Sequence, residues 1–290
     1  MMRHAVIIAN RGAGSFSAAR MDRICRSLRD GGMEIEQQFC RDFSEMEETA
    51  RLVSSRPDAP LVIAAGGDGT IAAVFNGLAG SRATCAILPM GTANVMAIEL
   101  GLRTEERAVA RIVAGETRPF TAGLVRGASR SSRFFLMAGV GLDGHIVRKV
   151  TLERKKRFGK GAYLLAALDH LRTWETDRLR VVTPTAEFSC HSIIICNAAR
   201  YGGAFTLTPS SSIFTPALDL VAVSGSSRMD HLRLIGTTLL GGHGGGSDII
   251  RMTAERIRIE GVQPLQTDGD DWGDTPVEIF TEQDYARIIC

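Results

Sequence analysis

The residues Gly66-Gly67-Asp68-Gly69-Thr70 carry the most chemical information in this chain. They follow the apolar run Leu61-Val62-Ile63-Ala64-Ala65 and precede Ile71, Val74, Phe75 and Leu78, which share one helical face. A strand that ends in glycines and reopens as a helix brings backbone amides and a helix N-terminus to one point, a suitable place for a phosphate. Asp68 does not suit a phosphate alone. A carboxylate beside a phosphate is repulsive unless a cation or a transferable proton lies between them. The combination predicts metal-assisted phosphoryl transfer rather than passive phosphate binding. Further segments of the same kind are Leu88-Pro89-Met90-Gly91-Thr92-Ala93-Asn94, the loop Asn10-Arg11-Gly12-Ala13-Gly14-Ser15, and Asp268-Gly269-Asp270. Taken singly, each reads as a turn. Asp268-Gly269 is also the dipeptide that a type I′ hairpin prefers. Asp143 has two readings, a site residue or the cap of a helix over His145–Val150.

The elements that position these residues alternate strand and helix through about residue 120. Ala5–Ala9, Glu34–Phe39, Leu61–Ala65 and Thr84–Leu88 read as strands, and Ala18–Leu28, Glu45–Val53 and Ile71–Leu78 as helices. Thr104-Glu105-Glu106 opens another helix with a cap and first-turn acids, and Gly115 closes it. This pattern predicts an open, mostly parallel, Rossmann-like α/β nucleotide-binding domain over 1–120, with the glycine loops at the carboxyl ends of strands. Beyond it, Phe134–Val140, Arg178–Val182, Glu187–Cys196, Leu218–Val223, Arg256–Glu260 and Val277–Phe280 read as strands, with helices at Ala162–Leu171 and Met229–Leu240. They predict a β-rich lipid-binding domain over 121–290, an antiparallel sandwich whose last residues pack back on the first domain. The active site is expected in the cleft between the two.

Composition narrows the field. A net charge of +2 gives no electrostatic case for nucleic acid. The six cysteines form no CxxC pair, which fits free thiols in a reducing cytosol better than a disulfide framework or a zinc site. No apolar stretch reaches spanning length, so the expectation is a cytoplasmic protein, soluble or peripheral to the membrane.

In their order along the chain, GGDGT at 66–70, LPMGTAN at 88–94, the loop at 10–15, Gly139-Val140-Gly141-Leu142-Asp143, Tyr201-Gly202-Gly203 and Asp268-Gly269-Asp270 resemble the diacylglycerol kinase / sphingosine kinase-like lipid kinases, in their soluble bacterial branch. The likeness covers nearly the whole chain. GGDGT alone is shared with NAD kinases. The resemblance implies an ATP-dependent kinase that phosphorylates a lipid hydroxyl, with Mg²⁺ arriving with ATP. It implies that Asn10, Gly66, Gly67, Asp68, Gly69, Thr70, Gly91, Thr92 and Asn94 form the nucleotide site. Asp68 would act near the phosphates and Asp268 would be the general base. Some positions depart from the family pattern. Arg11 replaces a proline, Cys40 a nucleotide-contacting threonine, Val95 an aspartate and Asp270 a glutamate. Thr215-Pro216 stands where Asp-Gly is common, and in some relatives that aspartate helps hold a structural Mg²⁺.

Diacylglycerol is the default acceptor, with a sphingoid base, ceramide or phosphatidylglycerol as alternatives. NAD kinase and a nucleotide-binding regulator without catalysis are the rival classes. The run Arg154-Lys155-Lys156-Arg157-Phe158-Gly159-Lys160 is either a solvated face or a peripheral foot on an anionic membrane. Met137, Leu142, Leu164, Leu165, Leu168 and Leu207 are candidates for an acyl slot or simply for core. Trp174 reads as core.

Overall fold

The computed structural model describes residues 3–12, 16–150, 178–201, 205–225, 228–239, 246 and 248–290. The basic run with Arg154, Lys155, Lys156 and Arg157, the helix expected over 162–171, and Phe158, Leu164, Leu165, Leu168, Trp174, Gly202 and Gly203 lie outside them. The chain divides into two compact units, Met1–Thr121 with Gln283–Cys290, and Ala122–Glu282.

The first unit is a parallel sheet. Its strands are β1 (Arg3–Asn10), β2 (Met33–Cys40), β3 (Leu61–Gly66) and β4 (Thr84–Pro89), in the order β2-β1-β3-β4. The last residues of the chain complete it: Arg287 and Ile288 of β18 (Val277–Ile289) lie parallel to Thr84 and Cys85. Ala5 to Ile8 and Val62 to Ala65 are wholly buried, which explains why these strands read as continuous apolar runs without alternation. The helices are α1 (Ala18–Asp30), α2 (Phe43–Ser54), α3 (Asp68–Gly77), α4 (Val95–Glu99) and α5 (Glu105–Ala114). Side chains of Ser17, Asp42 and Thr104 cap α1, α2 and α5 by accepting from Arg20, Glu45 and Arg107 amides. Gly115 ends α5 at φ 73°, a left-handed C-terminal stop. Tyr285 donates its hydroxyl to the Phe75 carbonyl and sets its ring edge-on to Phe120.

The second unit is an antiparallel sandwich. One sheet contains β8 (Leu179–Val182), β9 (Glu187–Cys190), β15 (Arg256–Glu260) and the first half of β18. The hairpin of β5 (Thr117–Arg126) and β6 (Ser131–Phe134) joins it through β18. The other runs β14 (Ile249–Ala254), β13 (Leu218–Val223), β10 (Ser192–Cys196), β7 (Met137–Val140), β16 (Pro264–Thr267) and β17 (Asp270–Asp274), every pair antiparallel. One core serves both sheets, with Val181, Ile257 and Ile279 from the first and Ile193, Ile195 and Leu265 from the second. A two-residue ribbon, β11 (Arg200–Tyr201) with β12 (Phe205–Thr206), and helices α6 (Leu142–Lys149) and α7 (Arg228–Leu239) complete the unit. Among the described residues no helix is long and apolar enough to cross a membrane.

Some elements differ from the sequence expectation. Phe134–Val140 is two strands, interrupted at Phe135 and Leu136. Their amides are taken by a side chain rather than by a neighbouring strand, and apolar content alone does not reveal that. Glu187–Cys196 is likewise divided at His191. Helix α3 begins at Asp68, before its first apolar residue, with Gly67 as cap.

Candidate phosphoryl-transfer site residues

The two glycine loops of the first unit touch through their backbones. A Cβ on Gly91 would lie 2.3 Å from the Gly67 Cα, so only two glycines allow the approach. The Met90 amide donates to the Gly66 carbonyl at 2.8 Å, locking the end of β4 to the end of β3. Thr70 is buried, and its side chain fills the space a Gly66 side chain would need, with Oγ1 2.3 Å from that Cβ position. Asn94 sits left-handed at φ 49° and folds its amide onto Gly91, accepting from the amide N–H at 2.8 Å and donating to the carbonyl at 2.9 Å. Thr92 is exposed at the tip of this loop.

Asp68 links these pieces. Its Oδ1 accepts the Met96 amide at 3.1 Å, in the first turn of α4, while its own backbone opens α3. The carboxylate therefore faces helix N-terminal amides, where negative charge is favoured. That partly resolves the electrostatic conflict seen in the sequence. Val95, the position without the expected aspartate, is buried.

At the end of β1, Asn10 Oδ1 accepts the Gly12 amide at 2.7 Å and shapes the first loop. The Arg11 guanidinium stacks on the Phe39 ring, 4.4 Å from its centroid. Cys40 is buried with Sγ 3.5 Å from Thr49 Oγ1, and burial pushes its thiol up. Arg20, which no sequence motif marked, donates to the Pro89 carbonyl at 3.1 Å and pairs with Glu105 at 2.6 Å.

In the second unit Asp268 and Gly269 form the two-residue turn between β16 and β17, at φ 51° and 94°. Both have positive φ, as a type I′ hairpin requires. The Asp268 carboxylate is strongly held. Oδ2 accepts the Phe135 amide at 2.8 Å, and Oδ1 accepts those of Leu136 at 2.8 Å and Met137 at 3.0 Å. Two of these donors lie in the break between β6 and β7 and the third opens β7, so the strand interruption and the carboxylate explain each other. Three of a carboxylate's roughly four acceptor positions are thereby used.

Asp143 is not the helix cap, since Gly141 holds that place. It lies buried in the first turn of α6, with Oδ1 accepting from the Tyr201 hydroxyl and Oδ2 from Gln266 Nε2, both at 2.6 Å. Burial pushes its carboxyl up, against the pull of these two donors. Met137 and Leu207 are buried core, and Leu142 packs beside Ile146.

Donor chemistry sets two regions apart. Asp68, Thr92 and Asn94 offer hard oxygen donors of the kind Mg²⁺ takes alongside phosphate oxygens. The region of Thr215 does not fit a structural divalent cation. Thr215 donates its hydroxyl to the Ser212 carbonyl at 2.7 Å. The neighbouring Asp219 carboxylate accepts hydroxyls from Ser210 at 3.1 Å, Ser211 at 2.6 Å and Thr253 at 2.7 Å.

Two family models match the chain, one in each half. Residues 4–125 match the family described as "Diacylglycerol kinase catalytic domain". Residues 137–289 match "YegS C-terminal NAD kinase beta sandwich-like domain", so the sandwich itself does not separate lipid from NAD kinases. Over 299 aligned residues the chain is 27% identical to "Diacylglycerol kinase" of Bacillus subtilis, covering 99% of this chain and 96% of the relative. It is 30% identical to "Probable lipid kinase YegS-like" of Cronobacter sakazakii, covering 71% and 70%. In fold it resembles the crystal structure of a putative diacylglycerol kinase from Bacillus anthracis, with a TM-score of 0.82 at 23% identity over 99% of this chain and 94% of that one.

Proposed function

The chain belongs to the bacterial diacylglycerol kinase and YegS-like lipid kinases, phosphotransferases with an alcohol acceptor, and from that premise we propose that it transfers the γ-phosphate of ATP to the free hydroxyl of diacylglycerol. The observation that carries the nucleotide half is the backbone contact of Gly67 with Gly91 at the start of α3. Amides there suit a polyphosphate, and side chains are excluded where it must approach.

Gly66, Gly67, Gly69 and Gly91 let the loops pack tightly, against Thr70, Phe43 and each other, so that backbone amides rather than side chains meet the phosphates. Asn10 and Asn94 hold the two flanking loops in shape, and Thr92 and Thr70 add hydroxyls. Asp68 would hold the Mg²⁺ that accompanies ATP, and that ion, when bound, offsets the charge on the phosphates. Asp268 receives the hydrogen of the acceptor hydroxyl and aims its oxygen. Phosphoryl transfer through a loose transition state asks for positioning more than for strong deprotonation. The second unit takes the lipid.

The test is a radiolabelled-ATP transfer assay with Mg²⁺ and a panel of diacylglycerol, ceramide, sphingosine, phosphatidylglycerol and NAD. Label in diacylglycerol supports the reading, and label in another lipid moves the acceptor. Label only in NAD overturns it.

A further inference from the structure

We propose that Asp143 is a positioning residue which, through Gln266, sets the hydrogen-bond polarity at Gly269 and so holds Asp268 in its working orientation. The inference rests on the reading that Asp268 meets the acceptor hydroxyl.

The geometry is a chain of donors and acceptors. Both Asp143 oxygens act as acceptors, so each group that faces them is a donor. Gln266 meets that demand with Nε2, 2.6 Å from Asp143 Oδ2. Its Oε1 is thereby turned the other way, and it accepts the Gly269 amide at 2.7 Å. The two ends require the same orientation of the Gln266 amide, so neither can be reversed alone. The Gly269 amide belongs to the peptide group that joins it to Asp268. Fixing that plane fixes the backbone from which the Asp268 carboxylate reaches the three amides of residues 135–137. Tyr201 closes the other side of Asp143.

The surroundings are shaped for this carboxylate. A Cβ on Gly139 would fall 1.9 Å from Asp143 Oδ2. A Cβ on Gly144 would fall 2.1 Å from the Pro264 carbonyl, so α6 lies directly against β16. An acid buried this deeply costs stability that an apolar side chain would not. The polarity it imposes at the Asp268 turn is what this buried acid contributes.

The experiment compares Asp143→Asn, Gln266→Glu and the double variant. In Asp143→Asn the fixed order is lost: the new amide can turn either its oxygen or its nitrogen to Gln266, the Tyr201 hydroxyl accepting from Nδ2 in the first case, so Gln266 and the Gly269 amide are no longer held to one polarity. We expect kcat to fall about 10²-fold, the scale of a small misplacement, with the KM for ATP unchanged. Gln266→Glu sets two carboxylates together and should also lose activity. The double variant restores the order, because the new Asn donates to the new Glu, whose other oxygen accepts from Gly269. It should recover most of kcat. Tyr201→Phe removes one donor without reversing Gln266, so it should lower thermal stability and leave kcat within a few-fold of the parent.

Hydrogen exchange over the 264–271 hairpin gives a readout that does not depend on lipid activity. Protection should fall in Asp143→Asn and return in the double variant. Unchanged exchange in Asp143→Asn overturns the inference even if no lipid is phosphorylated. Full kcat in Asp143→Asn beside an inactive Asp268→Asn also overturns it and leaves the proposed function standing.

Discussion

Asp268→Asn separates holding from chemistry. Asparagine keeps the side-chain shape and tolerates the left-handed backbone that Asp268 occupies at φ 51°, so the carboxylate alone is changed. The single amide oxygen can keep two donors, Leu136 and Met137, but both bonds lose the assistance of charge. The difference between a charged and a neutral hydrogen bond is about 1 kcal/mol each. The third donor, the Phe135 amide, then faces an NH₂ group. An opposed buried donor costs about 1–3 kcal/mol. The sum is roughly 3–5 kcal/mol, which lowers the midpoint by about 10 °C for a domain of this size. Asp268→Ala should fall further, since it loses all three acceptors and adds left-handed strain of about 1–2 kcal/mol.

Calorimetry gives these midpoints. The kinetic assay is run at a temperature where every variant is fully folded. There we expect kcat of Asp268→Asn to fall by about 10²–10⁴, the range of a lost acid–base group, with the KM for ATP unchanged. A midpoint within about 2 °C of the parent would refute the three-amide account, because that drop is too small for even one lost charged bond. Parent-like kcat in the folded variant removes Asp268 from the chemistry and leaves it a loop brace.

Other predictions concern packing, charge and metal. Gly91→Ala places a methyl 2.3 Å from the Gly67 Cα and should weaken ATP binding and reduce kcat/KM for ATP by about 10²-fold, measured by calorimetric titration and initial rates. Gly77→Ala inverts the usual sign. Within a helix this change normally gains up to about 1 kcal/mol, but at Gly77, the last residue of α3, the Cβ lands 2.2 Å from the Glu47 carbonyl, so urea unfolding should show a loss of about 1–3 kcal/mol. Hydrogen bonds from Arg56, then Gln38, hold the Glu36 carboxyl down to about 2 from 4.5. That stabilisation is present above pH 4.5 and fades as pH falls toward 2. The pair is partly exposed, so Glu36→Gln should cost less than about 1 kcal/mol at pH 7, with the gap narrowing in urea titrations toward pH 3. Chelation by excess EDTA should leave the thermal midpoint unmoved, whereas Thr253→Val, which removes one hydroxyl from Asp219, should cost about 1 kcal/mol.

Much of the chemistry was legible in the sequence because it is local. A strand, a glycine pair and a helix start are neighbours in the chain, so GGDGT disclosed a strand–turn–helix junction before any partner was known. Thr104 and Gly115 marked the two ends of α5 for the same reason, and Asp268-Gly269 revealed its turn. Tertiary structure decided whatever depends on strand register. Leu265 and Gln266 pair with Val140 and Gly139, and this sets β16 beside β7. That pairing brings Asp268 to the amides of 135–137 and Gln266 to Asp143. No periodicity marks Gln266, whose type and spacing are ordinary, and Tyr201 could be read only as part of a loop. The contact of Gly67 with Gly91 likewise depends on β3 lying next to β4. Apolar patterning states which face of a strand is buried, because burial depends on the residue's own side chain. It does not state which strand lies alongside, and a hydrogen bond between distant residues exists only once that neighbour is chosen.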